Sequence, residues 1–244
     1  MSPVKAIFKR ELASYFNTPV AWVFLVIFLF LTMLATFQLG NFYEANQSNL
    51  QAFFSFHVWL YLLLMPAIGM RSWAEERNTG SIELLLTLPI TLKDSVIGKF
   101  LAGWVFAGIA LLLTLPIWLT VSYLGDPSHT VIFSGYLGSW LLAGAFLAVA
   151  NCMSAISKSQ VVAFILSVVL CLLLIMVGFP VVLDFFNAWL PRPLVDAIAS
   201  LSFFTHFNSI MRGVIDLRDL LYFALLIGVF LYATAVVIDL KKAN

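Results

Sequence analysis

The chain has 244 residues, of which 62% are apolar and only 10% are charged, and its mean hydropathy is +1.02. A soluble domain is about 45–50% apolar and about 25% charged, so these values exclude a soluble globular protein and predict an integral membrane protein. The net charge of +1 gives no reason to expect a nucleic-acid partner.

Residues 1–18 have the pattern of an amphipathic helix. Val4, Phe8, Leu12 and Tyr15 recur at helical spacing, and the lysines lie elsewhere around the helix. We therefore predict a short helix on the membrane surface, with its lysines toward the lipid phosphates. The sequence leaves open whether this helix is a simple anchor or a second contact surface for a partner.

Six apolar runs follow, and most approach the roughly 20 residues that a helix needs to cross a bilayer. The predicted spans are residues 20–39, 56–70, 95–124, 132–156, 160–183 and 220–238. Thr91 and Asp94 have the spacing of a capping box, which marks the helix start before the third span. The fourth span has a small-residue face that lets another helix approach closely, formed by Gly144, Ala148 and Ala155. The predicted fold class for residues 1–244 is therefore a single all-α polytopic membrane domain.

A charged segment, residues 71–91, separates the second and third spans. Gly80 suits the left-handed residue that ends a helix, and Ser81 can cap a new short helix that carries Glu83 near its positive end. The apolar side of this short helix consists of Leu84, Leu85 and Leu88. Because exposed leucines need burial, we predict that the segment contacts a separate protein, although an ordinary charged loop would obey the same topology.

Residues 184–218 are too polar to form a span but are rich in Phe. This composition predicts short helices that lie in the outer interface and partly re-enter the membrane. Two roles stay open, an outer gate that closes a pathway and a lid that fills the space between the fifth and sixth spans. The candidate gate residues are Phe203, Phe204, Phe207, Arg212, Asp216 and Asp219.

The sequence carries no motif for catalysis or for nucleotide binding. Gly98-Lys99 lacks the first glycine and the hydroxyl residue of a phosphate-binding loop, and no His-Glu-x-x-His metal motif occurs. We interpret the predicted spans as lacking the buried charges on which ion-coupled carriers depend. His57, His129 and His206 are interpreted as isolated residues at the outer interface. We therefore expect no catalytic residue, metal or cofactor in this chain, so that driving energy must come from a partner.

The distribution of basic residues predicts the orientation. If both termini are cytoplasmic, ten of the thirteen Lys and Arg residues lie on the cytoplasmic side. These ten are Lys5, Lys9, Arg10, Arg71, Arg77, Lys93, Lys99, Lys158, Lys241 and Lys242. The positive-inside rule then places the charged segment 71–91 in the cytoplasm.

Several patches of the sequence together resemble the ABC-2 type permeases. They are Phe8-Lys-Arg-Glu-Leu with Thr18-Pro19, the run from Met70 to Pro89, Gly98-Lys-Phe, Gln160-Val-Val-Ala-Phe, and Arg212-Gly-Val-Ile-Asp-Leu-Arg-Asp219. The resemblance covers essentially the whole chain. It is closest to the branch that contains the gliding-motility permease GldF, and the copper-processing permease NosY is a more distant likeness.

The resemblance implies a non-catalytic permease subunit of the bacterial inner membrane, whose first cytoplasmic connection docks on a separate ATPase subunit. Two ATPases, which bind the ATP and Mg, would work with two permease subunits, and these would be identical or related. A periplasmic or membrane-anchored accessory protein is a further expected class of partner, beside membrane lipid. The coupling positions implied by the resemblance are Glu75, Glu76, Arg77, Gly80, Ser81, Glu83, Leu84 and Leu85.

The resemblance does not identify a substrate. A permease that exports a solute and a mechanotransmitting scaffold that drives a periplasmic partner without moving a solute would use the same coupling segment, so both functions stay open. An intramembrane enzyme or a channel would need a polar cluster at mid-span, and the sequence gives no sign of one.

Overall fold

The computed structural model describes residues 2–40, 42, 49–80 and 91–241. These residues form twelve α-helices. In chain order they are α1 (Pro3–Asn17), α2 (Pro19–Leu34, continued by a π-helical turn Ala35–Leu39), α3 (Gln51–Gly69), α4 (Arg71–Thr79), α5 (Leu92–Leu112), α6 (Pro116–Leu124), α7 (His129–Ile156), α8 (Gln160–Met176), α9 (Pro180–Asn187), α10 (Arg192–Ala199), α11 (Phe203–Met211) and α12 (Leu217–Leu240). Within the described part of the chain no residue is in a strand, so the all-α prediction is confirmed.

Five stretches of the described residues are long and apolar enough to cross a membrane, and a sixth is formed if the bent pair α8 and α9 counts as one span. Two of the predicted spans are not single straight helices. The predicted third span is interrupted at residues 113–115, between α5 and α6. The predicted fifth span does not continue straight to Leu183, because α8 and α9 meet at an angle of 68°. A proline begins the second helix in both cases, Pro116 and Pro180, because proline lacks the N–H and clashes with the preceding helical turn.

The longest helix, α7, is the centre of the fold, because glycines along it receive side chains from several neighbouring helices. A Cβ on Gly135 would lie 2.4 Å from the ring of Phe54 in α3, and a Cβ on Gly138 would lie 2.8 Å from Ile210 in α11. Gly144 faces α5 and α12. In a membrane the hydrophobic effect does not drive helices together, so close packing through small residues stabilises their association instead. Ala148 and Ala155 are also fully buried, as the predicted small-residue face requires.

A reciprocal pair of tryptophans joins α5 to α7. Trp104 and Trp140 stack with ring centroids 4.3 Å apart, and each indole N–H donates to the backbone carbonyl of the other residue, at 2.8 and 3.4 Å. Each indole also lies against the glycine one helical turn beyond its partner, Gly144 for Trp104 and Gly108 for Trp140. The two glycines therefore make the space that this polar and aromatic contact needs.

The N-terminal helix α1 follows the start of α5 for about two turns. Ile7 packs on Gly98, where an added Cβ would lie 2.8 Å from the isoleucine side chain, and Tyr15 stacks on Phe106 at 5.3 Å. The contacts advance together along both helices, so the two run in the same direction. Tyr15, one of the four residues on the predicted apolar side of α1, therefore contacts protein.

Gly144→Ala tests the role of the α7 glycines. The added methyl group would lie 2.7 Å from the Trp104 indole nitrogen, so we expect the variant to lose about 1–3 kcal/mol of unfolding free energy through overpacking. Gly228→Ala in α12 is the matched control, because an added Cβ there meets nothing within 4 Å. Unfolding of both purified variants in denaturing detergent measures the difference, and equal stability would contradict the packing role.

Candidate functional site

The predicted coupling segment begins with α4, which is packed against the cytoplasmic end of α7 in the predicted orientation. Trp73 is fully buried in a small core cluster that also contains Val96, Ala155 and Ile238. One hydroxyl group holds the junction between α3 and α4. The Ser154 Oγ accepts the backbone N–H groups of Trp73 and Ala74 at 3.1 and 3.0 Å and donates to the carbonyl of Met70 at 2.7 Å. It satisfies backbone groups that a helix start leaves without partners.

Lys99 is the charged centre of this region. Its side chain is 5% exposed, and its ammonium lies 2.7 Å from Glu76 Oε1 in α4 and 3.5 Å from Glu11 Oε1 in α1. The ammonium also donates a hydrogen bond to the carbonyl of Ser72 at 2.9 Å. These three oxygens surround the ammonium of α5 and tie it to α1 and α4. Lys99 also lies 5.0 Å from the centre of the Trp73 ring.

Arg10 completes the charge balance around Lys99. Its guanidinium lies 2.6 Å from Glu11 and 4.0 Å from Glu76, so two cations face two carboxylates. The sequence interpretation missed Lys99 as a buried charge within the predicted third span, because it counted the residue only toward the cytoplasmic total. The available signal was its position about two turns inside α5, between Gly98 and Phe100, where solvent exposure is not expected.

The predicted coupling residues do not all point to one surface. Glu76 faces Lys99, whereas Arg77 donates to the carbonyl of Ala155 at 2.7 Å. Glu75 pairs with Arg71 at 3.0 Å along the same helix, and both side chains are about two-fifths exposed, so this pair adds little stability. Gly80 has φ +73° and ends α4 in the left-handed conformation that the sequence predicts. The remaining coupling positions, Ser81, Glu83, Leu84 and Leu85, lie outside the described residues.

Two cationic side chains bind the last carbonyls of α7. Arg77 donates to the carbonyl of Ala155, and the ammonium of Lys241, at the end of α12, donates to the carbonyl of Ile156. The pKa of Lys241 is lowered by burial and by the neighbouring charges of Arg77 and Lys158. Positive charge at a helix C-terminus is favourable because the last carbonyls are unpaired and the dipole is negative there. The chain thereby fastens α4, α7 and α12 at one end of the bundle.

A cleft of about 560 Å³ opens beside the Lys99 network, between α1, α2, α4 and α5. Its base is apolar and includes Phe24, Ile68 and Phe106, and its rim carries Arg71 and Glu75. Burial, followed by the charge of Glu11, raises the pKa of the Tyr15 hydroxyl at the same cleft, so this hydroxyl stays neutral. Among the described residues no group of three or more His, Cys, Asp or Glu side chains is placed to hold a metal ion.

At the other end of the bundle, the candidate gate residues divide into two sets. Phe203 and Phe207 are fully buried, and Phe203 stacks on Phe146 of α7 at 4.9 Å. Asp219 is also buried. Phe204 stacks on Phe179, and Asp216 accepts the backbone N–H of Arg218 as the cap of α12, whereas Arg212 is exposed. The two buried phenylalanines, Phe203 and Phe207, anchor α11 to α7.

The interpretation of the histidines as isolated residues at the outer interface is wrong for two of them. His57 is fully buried among Phe53, Phe54 and Tyr61. His206 pairs with Asp219 at 2.6 Å, and its other ring nitrogen lies 2.9 Å from the carbonyl of Ser200. The neighbours of His57 lie one turn away on the same helix, whereas His206 and Asp219 are 13 residues apart on different helices, so periodicity gives no sign of that pair.

His206 acts as a clasp for the segment between α10 and α12. The carbonyl of Ser200 can only accept, so the Nε2 of His206 donates to it, and Nδ1 lies 2.6 Å from Asp219 Oδ1. Tyr222 stacks on the imidazole with centroids 4.0 Å apart and donates from its hydroxyl to the carbonyl of Leu201. The clasp therefore joins α11, the residues before it and the first turns of α12.

The comparison with known families is consistent with this arrangement. The sequence model of a family described as ABC-2 family transporter protein matches residues 5–240. The chain belongs to the ABC-2 transporter family. No curated protein matches the chain at a significant level. Membership makes the chain a multi-pass membrane protein and the membrane domain of an ABC transporter, a type of subunit that is typically non-catalytic and works with an ABC ATPase.

Lys99→Met tests the central ion pairs. Removing the ammonium leaves Glu76 and Glu11 close together without their buried partner, so we expect a loss of about 3–5 kcal/mol of unfolding free energy. The double variant Lys99→Met with Glu76→Gln should recover part of that loss, because one of the two carboxylate charges is then gone. Lys9→Met on the exposed side of α1 is the control. Unchanged stability of Lys99→Met in denaturing detergent would contradict the role of Lys99.

His206→Phe tests the outer clasp, since it keeps an aromatic ring against Tyr222 but removes both polar contacts. Because Asp219 is then buried without its partner, we expect destabilisation by about 2–4 kcal/mol and faster proteolysis between α10 and α12. His129→Phe is the control, because His129 has one exposed contact, with the Trp118 indole. Identical proteolysis of the two variants would show that the clasp holds nothing in place.

Proposed function

We propose that this chain is the permease subunit of an ATP-driven transporter and that its α4 segment carries movement from the ATPase into the membrane helices. The observation that supports this proposal most directly is the Lys99 network, which joins the predicted coupling segment to α1 and to the start of α5. Family membership supplies the ATPase in general terms. The basic residues favour a cytoplasmic position for this end of the bundle.

The proposed path starts at the predicted docking positions Ser81, Glu83, Leu84 and Leu85, which follow Gly80 in the sequence. Movement of this segment would displace α4, and α4 has three firm attachments to other helices. They are Glu76 on Lys99, Arg77 on Ala155, and Ser154 on the start of α4. Because packed helices move as rigid units, displacement of α4 would shift α1, α5 and α7 together.

The outer segment is the proposed gate of the same pathway. It is attached to α7 through Phe203 and Phe207, so movement of α7 would reach it directly. Large apolar side chains are exposed on α9 (Val181, Phe185), after it (Trp189) and on α10 (Leu194), which suits helices in the outer membrane interface. We further propose that two copies, or this chain and a related permease, assemble with two ATPases in the bacterial inner membrane. We also propose, on the resemblance of the sequence motifs alone, that the chain is nearest the gliding-motility branch of the family.

Glu83→Lys and Leu85→Asp test the proposed docking site. Each should reduce co-purification of the ATPase and abolish ATP-dependent activity while membrane insertion is unchanged, because one reverses a charge and the other places a charge in an apolar contact. The control is Asp126→Lys, an exposed acidic residue in the turn between α6 and α7. Full ATPase capture and activity in both docking variants would refute the proposed function.

A further inference from the structure

A long apolar groove runs between the start of α5 and the second half of α12. Its volume is about 890 Å³. The walls are formed by Leu92, Val96, Ile97, Gly228, Leu231, Tyr232, Ala235 and Val236. A Cβ on Gly228 would meet no atom within 4 Å, so the groove is open at that point. Both helices belong to stretches that are apolar enough to span a membrane, and the groove is therefore at the depth of lipid.

The dimensions of the groove match one leaflet. Gly228 and Asp239 lie eleven residues apart on α12, which corresponds to about 16 Å along a helix. The hydrocarbon core of a bilayer is about 30 Å thick, so the groove reaches from one membrane surface to about the midplane. An extended acyl chain from that surface covers the same distance.

The polar end of the groove carries a lysine that is available to a ligand. Thr91, Lys93 and Asp239 line this end, one turn or less from the ends of α5 and α12. Lys93 is exposed, and its ammonium forms no ion pair within the part of the chain that the structure describes. An ammonium at the end of an apolar groove complements a lipid phosphate above an acyl chain.

We propose that this groove binds one phospholipid of the cytoplasmic leaflet, with an acyl chain along α12 and its phosphate at Lys93. The proposal rests on the orientation given under the proposed function. It differs from a general lipid boundary, because it assigns one chain to one groove and one charge to one phosphate.

The bound lipid would support the coupling region. Val96 lines the groove and also packs in the cluster with Trp73 of α4. Trp73 also lies 5.0 Å from the ammonium of Lys99. An acyl chain in the groove would thus contact Val96, which packs in the cluster at the α4–α5 contact. Loss of the lipid would loosen the same contact that the proposed coupling movement uses.

The test compares two lipids with identical chains on the delipidated full-length chain, without the ATPase. Dioleoylphosphatidylglycerol should raise the thermal unfolding midpoint in a saturable way, and dioleoylglycerol, which lacks the phosphate, should do so only at much higher concentration. Lys93→Gln should weaken the phosphatidylglycerol affinity about fivefold, the usual effect of one lysine near an anionic surface. Gly228→Phe, which fills the groove, should weaken it tenfold or more.

Matched variants control for surface charge and ring size. Lys9→Gln removes an exposed lysine from α1, and Val229→Phe adds a ring at an exposed residue of α12 that does not line the groove. Both should retain the affinity of the unmodified chain. The proposal is overturned if the two groove variants bind phosphatidylglycerol as the controls do, or if dioleoylglycerol is equally effective.

A second overturning result is a change in oligomeric state. If Gly228→Phe dissociates a dimer in light scattering while lipid affinity is unchanged, the groove is an interface between copies and not a lipid site. Failure of the proposed coupling function is distinguishable, because it would appear as lost ATPase capture with lipid binding retained.

Discussion

The predicted cytoplasmic end of this bundle depends on one interaction, the burial of the Lys99 ammonium among oxygens from neighbouring helices. The ammonium is almost completely buried, and a buried ammonium is stable only where oxygens replace its water shell. Glu76, Glu11 and the carbonyl of Ser72 supply those oxygens from two other helices. The position of α4 is therefore tied to those of α1 and α5, because a shift of any one of these helices would separate the ammonium from its oxygens.

The long helix α7 extends this constraint through the membrane. At one end it receives Arg77 and Lys241 on its last carbonyls and presents Ser154 to the start of α4. Along its length, glycines admit side chains from α3, α5 and α11 so closely that one added methyl group would clash. At the far end Phe203 packs on Phe146. One rigid element thus contacts both the predicted coupling region and the predicted gate.

Polar contacts at the two ends of the bundle have different chemical characters. The predicted cytoplasmic end has buried ion pairs around Lys99. The predicted outer end has the His206 clasp with its stacked tyrosine, beside short helices with exposed apolar side chains. This difference is compatible with the proposed subunit, which would receive force at the first end and open at the second.

The sequence by itself determined the class of the protein and much of its segmentation. Apolar content, cap residues and the distribution of basic residues are local properties of the chain. Gly80 as a helix end and the Thr91–Asp94 capping box were therefore predictable, and both are observed. The proline-induced break before Pro116 and the bend before Pro180 also have local causes, although the sequence interpretation ran both spans through them.

Only the tertiary structure decided which polar residues meet. Lys99 with Glu76, Ser154 with Trp73, and His206 with Asp219 join positions far apart in sequence or on different helices. Their pairing depends on the crossing and rotation of packed helices, which small residues on α7 set through contacts that no local pattern records. For this reason the sequence could predict a coupling segment but not the buried lysine that contacts its first helix.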